Sequence, residues 1–219
     1  MIHRNKIAAQ SKPRRLTSLM AASLLGVTLM GLAGCAGPVS GPTTYLLPSS
    51  TMALTANQQL GYQQYDKRLA VIVAPLRIAE HLDNEGIVMQ LNDIEVYQAR
   101  QHLWAESIGQ QLQQQLQQRL ALALPNAQII SKGQPVQAGV PVRELRLQVN
   151  RFQGQQSGDA LAEGQWQLLD GSGQLLKQRS FSVTAPLADN GYPALVRALG
   201  QAWQQQADAL AKELASSQR

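Results

Sequence analysis

The 219-residue chain has one cysteine, three histidines, two phenylalanines and charged side chains at only 15% of its positions. A single cysteine allows no disulfide within the chain, so a folded part must be held by packing and hydrogen bonding. Histidine is the usual base in nucleophilic catalysis, yet only His81 and His102 lie beyond residue 35, and neither accompanies a nucleophile motif. Two histidines far apart, without a second cysteine or a carboxylate cluster, match none of the common metal-ligand spacings. Asp170-Gly171-Ser172-Gly173 lacks the first glycine and the strand-to-helix context of a nucleophile elbow and reads as a turn. No Gly-rich phosphate loop with its lysine is present. Asp83 and Glu85 are paired acids in a polar stretch, where carboxylates are usually solvated. The expectation is therefore a non-enzyme with no catalytic residue, no metal and no dissociable cofactor.

The net charge of +5 invites a nucleic-acid or anionic-membrane reading, but its distribution removes it. Five of the 19 basic side chains (Arg4, Lys6, Lys12, Arg14, Arg15) precede Cys35 and no acid does, which leaves 14 basic groups against all 14 acids. A neutral remainder lacks the Lys and Arg excess that neutralises phosphates, so no nucleic-acid partner is expected. Glutamine and alanine fill the deficit of charge, giving a polar but weakly charged surface.

What is present at the start of the chain is a basic segment to Arg15, an apolar run over residues 16–32, then small residues and the cysteine. That order is the layout of a secretory signal. A run of about 17 residues broken by Gly26 and Gly31 is at the lower edge for spanning ~30 Å of hydrocarbon. Leu32-Ala33-Gly34-Cys35 resembles the bacterial lipobox, Leu-[Ala/Ser]-[Gly/Ala]-Cys, at all four positions. Ala33 and Gly34 are small enough to enter a peptidase groove, and the Cys35 thiol is the nucleophile that takes a diacylglyceryl group. The expectation is a signal peptide over residues 1–34 and a lipidated Cys35 carrying covalent diacylglycerol and an N-acyl chain such as palmitate. Three acyl chains make such an anchor effectively permanent. By resemblance to enterobacterial-type lipoproteins, Ala36 in place of an aspartate directs the protein to the periplasmic face of the outer membrane.

Residues 35–43 read as the lipidated cysteine and a Gly/Pro/Ser-rich tether, and residues 44–219 as a single periplasmic domain. Tyr45-Leu46-Leu47 before Pro48 suits an edge strand. Residues 68–76 (RLAVIVAPL) suit a buried central strand. Residues 86–90 and 93–97 suit a hairpin about Asn92-Asp93. From Trp104 apolar residues step by four through Ile108, Leu112, Leu116 and Leu120 with glutamines between them, predicting an amphipathic helix that ends at Pro125. His102 is placed just before that helix, and His81 in the loop after the central strand. Strands follow at 128–130, 145–149, 160–169 and 175–183, the last two joined by the turn at Asp170. A final helix starts near Pro193, with Leu195, Leu199, Ala202, Trp203, Leu210 and Leu214 on its buried stripe. Trp104, Trp166 and Trp203 fall on apolar faces and are assigned to the core. The sum is an α+β fold: a two-layer sandwich of a mainly antiparallel sheet of five to seven strands with two amphipathic helices.

Val71-Ile72-Val73-Ala74-Pro75-Leu76, then Ala79-Glu80-His81-Leu82-Asp83 and Gly86-Ile87-Val88, resemble the pattern V-x-L-P-x-Y-L-D-R-x-x-I-V. Leu103-Trp104-Ala105-Glu106-Ser107-Ile108 resembles a W-A-E-P-L helix start. With the lipobox and Tyr45-Leu46-Leu47-Pro48, the chain is similar to the PqiC-like family of ABC-type transport auxiliary lipoproteins. His81, Asn84 and Ser107 depart from the pattern where it has tyrosine-like, arginine and proline positions. The resemblance implies a lipoprotein subunit of an MCE-type intermembrane lipid-transport system. It implies docking with an MCE-domain tunnel protein and support of membrane integrity. The low-charge, Gln-rich surface itself suits protein contacts, a homo-oligomeric ring among them, and phospholipid is a further candidate partner. The loop His81, Leu82, Asp83, Asn84, Glu85 and Gly86 is the candidate partner face. The alternatives are a stand-alone lipid- or peptide-binding lipoprotein and an envelope assembly factor.

Overall fold

The computed structural model describes residues 41–49 and 68–216. The signal segment, Leu32, Ala33, Gly34, Cys35 and the tether up to residue 40 lie outside the described residues. Nine strands and two helices follow in the order β1 Thr43–Tyr45, β2 Leu69–Val73, β3 Arg77–Ile78, β4 Gly86–Gln90, β5 Val96–Trp104, α1 Ile108–Ala123, β6 Ala127–Ser131, β7 Val142–Gly154, β8 Asp159–Asp170, β9 Leu175–Pro186 and α2 Tyr192–Ser216. A 3-10 turn, Glu80–Leu82, stands between β3 and β4. The fold is α+β, as the sequence predicts.

β7 organises the sheet. Along one edge it pairs in succession with β2, β3 and the end of β4, all parallel. Its other edge carries β8 and then β9 as long antiparallel ribbons. β6 flanks β2 in parallel, and β5 and β1 extend the sheet beyond β4. The sheet is thus mixed: its longest pairings are antiparallel, and the parallel pairings join elements far apart in sequence. Nine strands exceed the expected five to seven; among them β3, only two residues long, shows no periodicity in the sequence.

Burial follows the pairing. β2 is flanked on both sides, and four of its five residues are buried, which accounts for its unbroken apolar run. In β7, Leu145, Leu147 and Val149 alternate inward, and a bulge between Val149 and Arg151 then re-aims the strand so that Phe152 joins the same core. Gly164 on β8 lets the ribbons close up: a Cβ there would lie 2.1 Å from the Gln148 carbonyl oxygen.

The helices cover one side of this sheet and share one core with it, Leu112, Leu116, Leu120, Leu199, Trp203 and Leu210 being almost inaccessible. Two polar contacts set their register. The indole N–H of Trp203 donates to the Leu112 carbonyl at 2.9 Å, and Arg119 makes a two-pronged ion pair with Asp208 at 2.6 and 2.9 Å. The glutamines of α1 do more than favour a helix. Gln111 Oε1 accepts from the Leu47 amide, Gln113 Oε1 from the Leu76 amide, and Gln115 Nε2 and Gln117 Nε2 donate to the Pro48 carbonyl and the Ser131 hydroxyl. Residues 46–49 are thereby clamped over the helices, where Gly200 makes room: a Cβ on it would meet Pro48 at 2.8 Å.

Several boundaries differ from expectation: the second strand of the hairpin runs over Val96–Trp104 rather than 93–97, β2 stops at Val73 rather than at residue 76, and β7 extends over Val142–Gly154. Trp104 ends β5 rather than opening α1: its amide donates to the Glu85 carbonyl at 2.7 Å, and the helix begins after Ser107. His102 likewise lies inside β5, opposite Thr43, instead of before the helix. The first strand is shifted to 43–45, and Leu47 instead enters the core.

Candidate functional site

The loop over residues 81–86 is built around Asn84. Its Nδ2 donates to the His81 carbonyl at 2.6 Å and its Oδ1 accepts from the Gly86 amide at 2.8 Å, an Asx-type closure. Gln98 Nε2 adds a second donor to the His81 carbonyl. Leu82 is buried, and Gly86 is a close-approach position, since a Cβ would fall 2.6 Å from the Ala99 carbonyl oxygen. Of the six candidate residues, Leu82, Asn84 and Gly86 therefore shape the loop. Asp83 and Glu85 face solvent and His81 is half-buried. Asp83 and Glu85 border a cleft of about 330 Å³ with Trp104, Glu106 and Ile108, which gives this end of the domain an acidic rim.

A second feature had no sequence signal. On the side of the sheet opposite the helices, the break between β2 and β3 at Ala74-Pro75-Leu76 opens a concavity of about 550 Å³, lined also by Lys132, Glu144, Arg146, Gln148, Gln165 and Gln167. Glu144 accepts from Arg146 at 2.7 Å and from Lys132 at 3.3 Å. The Arg146 hydrogen bond, opposed by partial burial and aided by Lys132, holds its carboxyl below the ordinary value. Glutamines on neighbouring strands are knitted across the face, Gln165 to Gln148 at 3.3 Å and Gln167 to Gln178 at 3.2 Å. This face offers many donors and acceptors and little net charge, which suits a protein surface better than a lipid tail.

A third feature joins three elements. The Tyr45 hydroxyl lies 2.9 Å from His102 Nδ1, and the His102 ring stacks on Tyr192 with centroids 3.9 Å apart. Burial, and then the neighbouring Tyr97 and Tyr45, raise the Tyr192 hydroxyl above its ordinary value. The cluster pins β1 and the start of α2 to β5. Its three residues are too far apart in sequence for any spacing rule to gather them.

A mixed sheet with two helices on one face and an open polar face on the other defines an α+β fold. Residues 45–211, from β1 almost to the end of α2, match the family described as ABC-type transport auxiliary lipoprotein component, and the chain belongs to that family. It is 31% identical over 193 residues, 87% of this chain and 96% of the relative, to the intermembrane transport lipoprotein PqiC of Escherichia coli K12. A crystal structure of an uncharacterized protein superposes with a TM-score of 0.63 at 26% identity, covering 80% of this chain and 99% of that one. A Xanthomonas campestris protein superposes with a TM-score of 0.61 at 18% identity over 81% of this chain and 96% of its own, a likeness of fold.

Proposed function

We propose that this chain is the outer-membrane-anchored lipoprotein subunit of an MCE-type intermembrane lipid-transport system. In this reading Cys35 carries the diacylglyceryl and N-acyl groups that hold the domain at the periplasmic face of the outer membrane. The folded part receives an MCE-domain tunnel protein reaching from the inner membrane, acts without catalysis and supports membrane integrity. The observation that carries the reading is the likeness to the intermembrane transport lipoprotein over nearly the whole length of both chains. The open glutamine-rich face and the acidic rim at Asp83 and Glu85 are surfaces on which such a partner can rest.

The test is capture of the mature lipoprotein from crosslinked envelopes, with proteins and lipids identified by mass spectrometry and Cys35→Ala as the control. Recovery of an MCE-domain protein that depends on the anchor is the expected result. Phospholipid recovered without that partner would instead favour a stand-alone lipid-binding lipoprotein. A lone monomer with neither would sink the docking model.

A further inference from the structure

The hairpin formed by β4 and β5 ends in a turn whose side chains are apolar and whose backbone is fixed. The Leu91 amide donates to the Glu95 carbonyl at 2.9 Å, and Asn92 Oδ1 accepts from the amides of Ile94 and Glu95 at 3.0 and 2.9 Å. This closure pushes Ile94 outward until 86% of it is exposed, with Leu91, Val96 and Tyr97 beside it at 47%, 45% and 44%. Half of the large exposed apolar side chains among the described residues thus sit on one tip. A hairpin end needs no such residues for its own folding, because Asn92 already closes it. Clustered exposed apolar groups mark a surface that meets something.

The direction of β1 says what it meets. β1 runs parallel to β5, with Thr43 opposite His102, so the chain enters the domain from the side of β5 on which the tip lies. From the level of Thr43 to Val96 is about 20 Å at the rise of a strand. From Cys35 to Thr43 the chain can stretch about 28 Å. An acylated Cys35 can therefore lie level with the tip, so that one lipid surface touches both. The residues of the tip point to the chemistry of that surface. β4 and the turn contain no lysine or arginine, the first basic residue of the hairpin being Arg100, and Asp93 and Glu95 flank Ile94. Such a tip is not drawn to anionic headgroups, whereas Tyr97 is suited to an interface that is apolar below and polar above.

We infer that the β4–β5 tip is a second membrane contact: Ile94, Leu91, Val96 and Tyr97 enter the zwitterionic lipid interface beside the acyl anchor. The domain then stands end-on to the membrane, with the open face turned sideways and free. This inference rests on the acyl anchor of the proposed function.

The test uses the full lipoprotein in its own envelope, with a benzophenone amino acid at position 94 and, for comparison, at position 172. Ser172 lies in the β8–β9 turn at the opposite end of the long ribbons. Irradiation and mass spectrometry then identify what each position touches. Phospholipid adducts at 94 at least fivefold above those at 172 are expected. Equal adducts at both positions, protein adducts alone at 94, or none there would overturn the inference. With the probe at 91, the double change Ile94→Ser and Val96→Ser is expected to cut lipid adducts at least fivefold while Tm stays unchanged; undiminished adducts would also overturn it. The same spectra read the Cys35 peptide. An unacylated Cys35 would remove the anchor alone, and lipid adducts confined to 94 would still establish the tip as a lipid contact.

Discussion

Arg119 and Asp208 form the most enclosed ion pair among the described residues, with side chains 7% and 13% exposed. A carboxylate removed from such a pair leaves a guanidinium without its main counter-charge, which costs more than the pair itself contributes. Asp208→Ala is expected to lower unfolding free energy by about 3 kcal/mol in denaturant titration. Glu144 offers a different readout, since Arg146 and Lys132 hold its carboxyl below its ordinary value of 4.5 in the folded state. A depressed folded pKa stabilises above the unfolded pKa, and that contribution fades as pH falls through the folded one. The stability gap between the native protein and Glu144→Gln is therefore expected to be constant above about pH 5 and to shrink below it. A gap independent of pH between 3 and 7 would show that Glu144 is not held ionised by its partners.

Helix α1 shows how one element carries two patterns. The apolar residues at 108, 112, 116 and 120 read correctly as a buried stripe, and all four are buried. The glutamines between them look equivalent in sequence, yet Gln111 and Gln115 are buried clamps while Gln114 faces solvent. Gln111→Ala would strand the Leu47 amide in the interior and is expected to cost about 1 to 3 kcal/mol. Gln114→Ala is expected to change stability by less than about 0.5 kcal/mol in the same thermal or chemical unfolding experiment. The same element shows where periodicity misleads. Trp104 lies four residues before Ile108 and so fits the stripe, but ladder bonds from β4 and β1 carry the strand through it. Those partners are distant in sequence, and a window along the chain does not contain them.

For the molecule as a whole, the consequence of the two-layer arrangement is an uncovered sheet face opposite the helices. If that face receives a protein partner, repulsive charge placed on it must weaken capture without touching the core. The double change Gln148→Glu and Gln167→Glu, at exposed and half-buried sites, is expected to reduce recovery of the MCE-domain partner about tenfold, roughly 1.4 kcal/mol. Undiminished recovery with an unaltered Tm would move the partner surface to the acidic rim at Asp83 and Glu85.

Composition and local pattern by themselves determined the class of the fold, the buried character of β2, both helices, the β8–β9 hairpin and the turn at Asn92, though β2 lies next to the edge strand β6 rather than at the centre of the sheet. Each of these depends on residues near one another in the chain: an apolar period, a proline stop or an Asx closure. The likeness of residues 68–120 to a transport-lipoprotein family was legible for the same reason, as a run of neighbouring residues. Only the tertiary structure decided that β7 has three successive partners on one edge. It alone also set β1 parallel to β5, and it alone brought Tyr45, His102 and Tyr192 together. Parallel pairing and side-chain clusters join segments tens of residues apart. Their energy comes from contacts that exist only once the core has closed, so no local spacing encodes them.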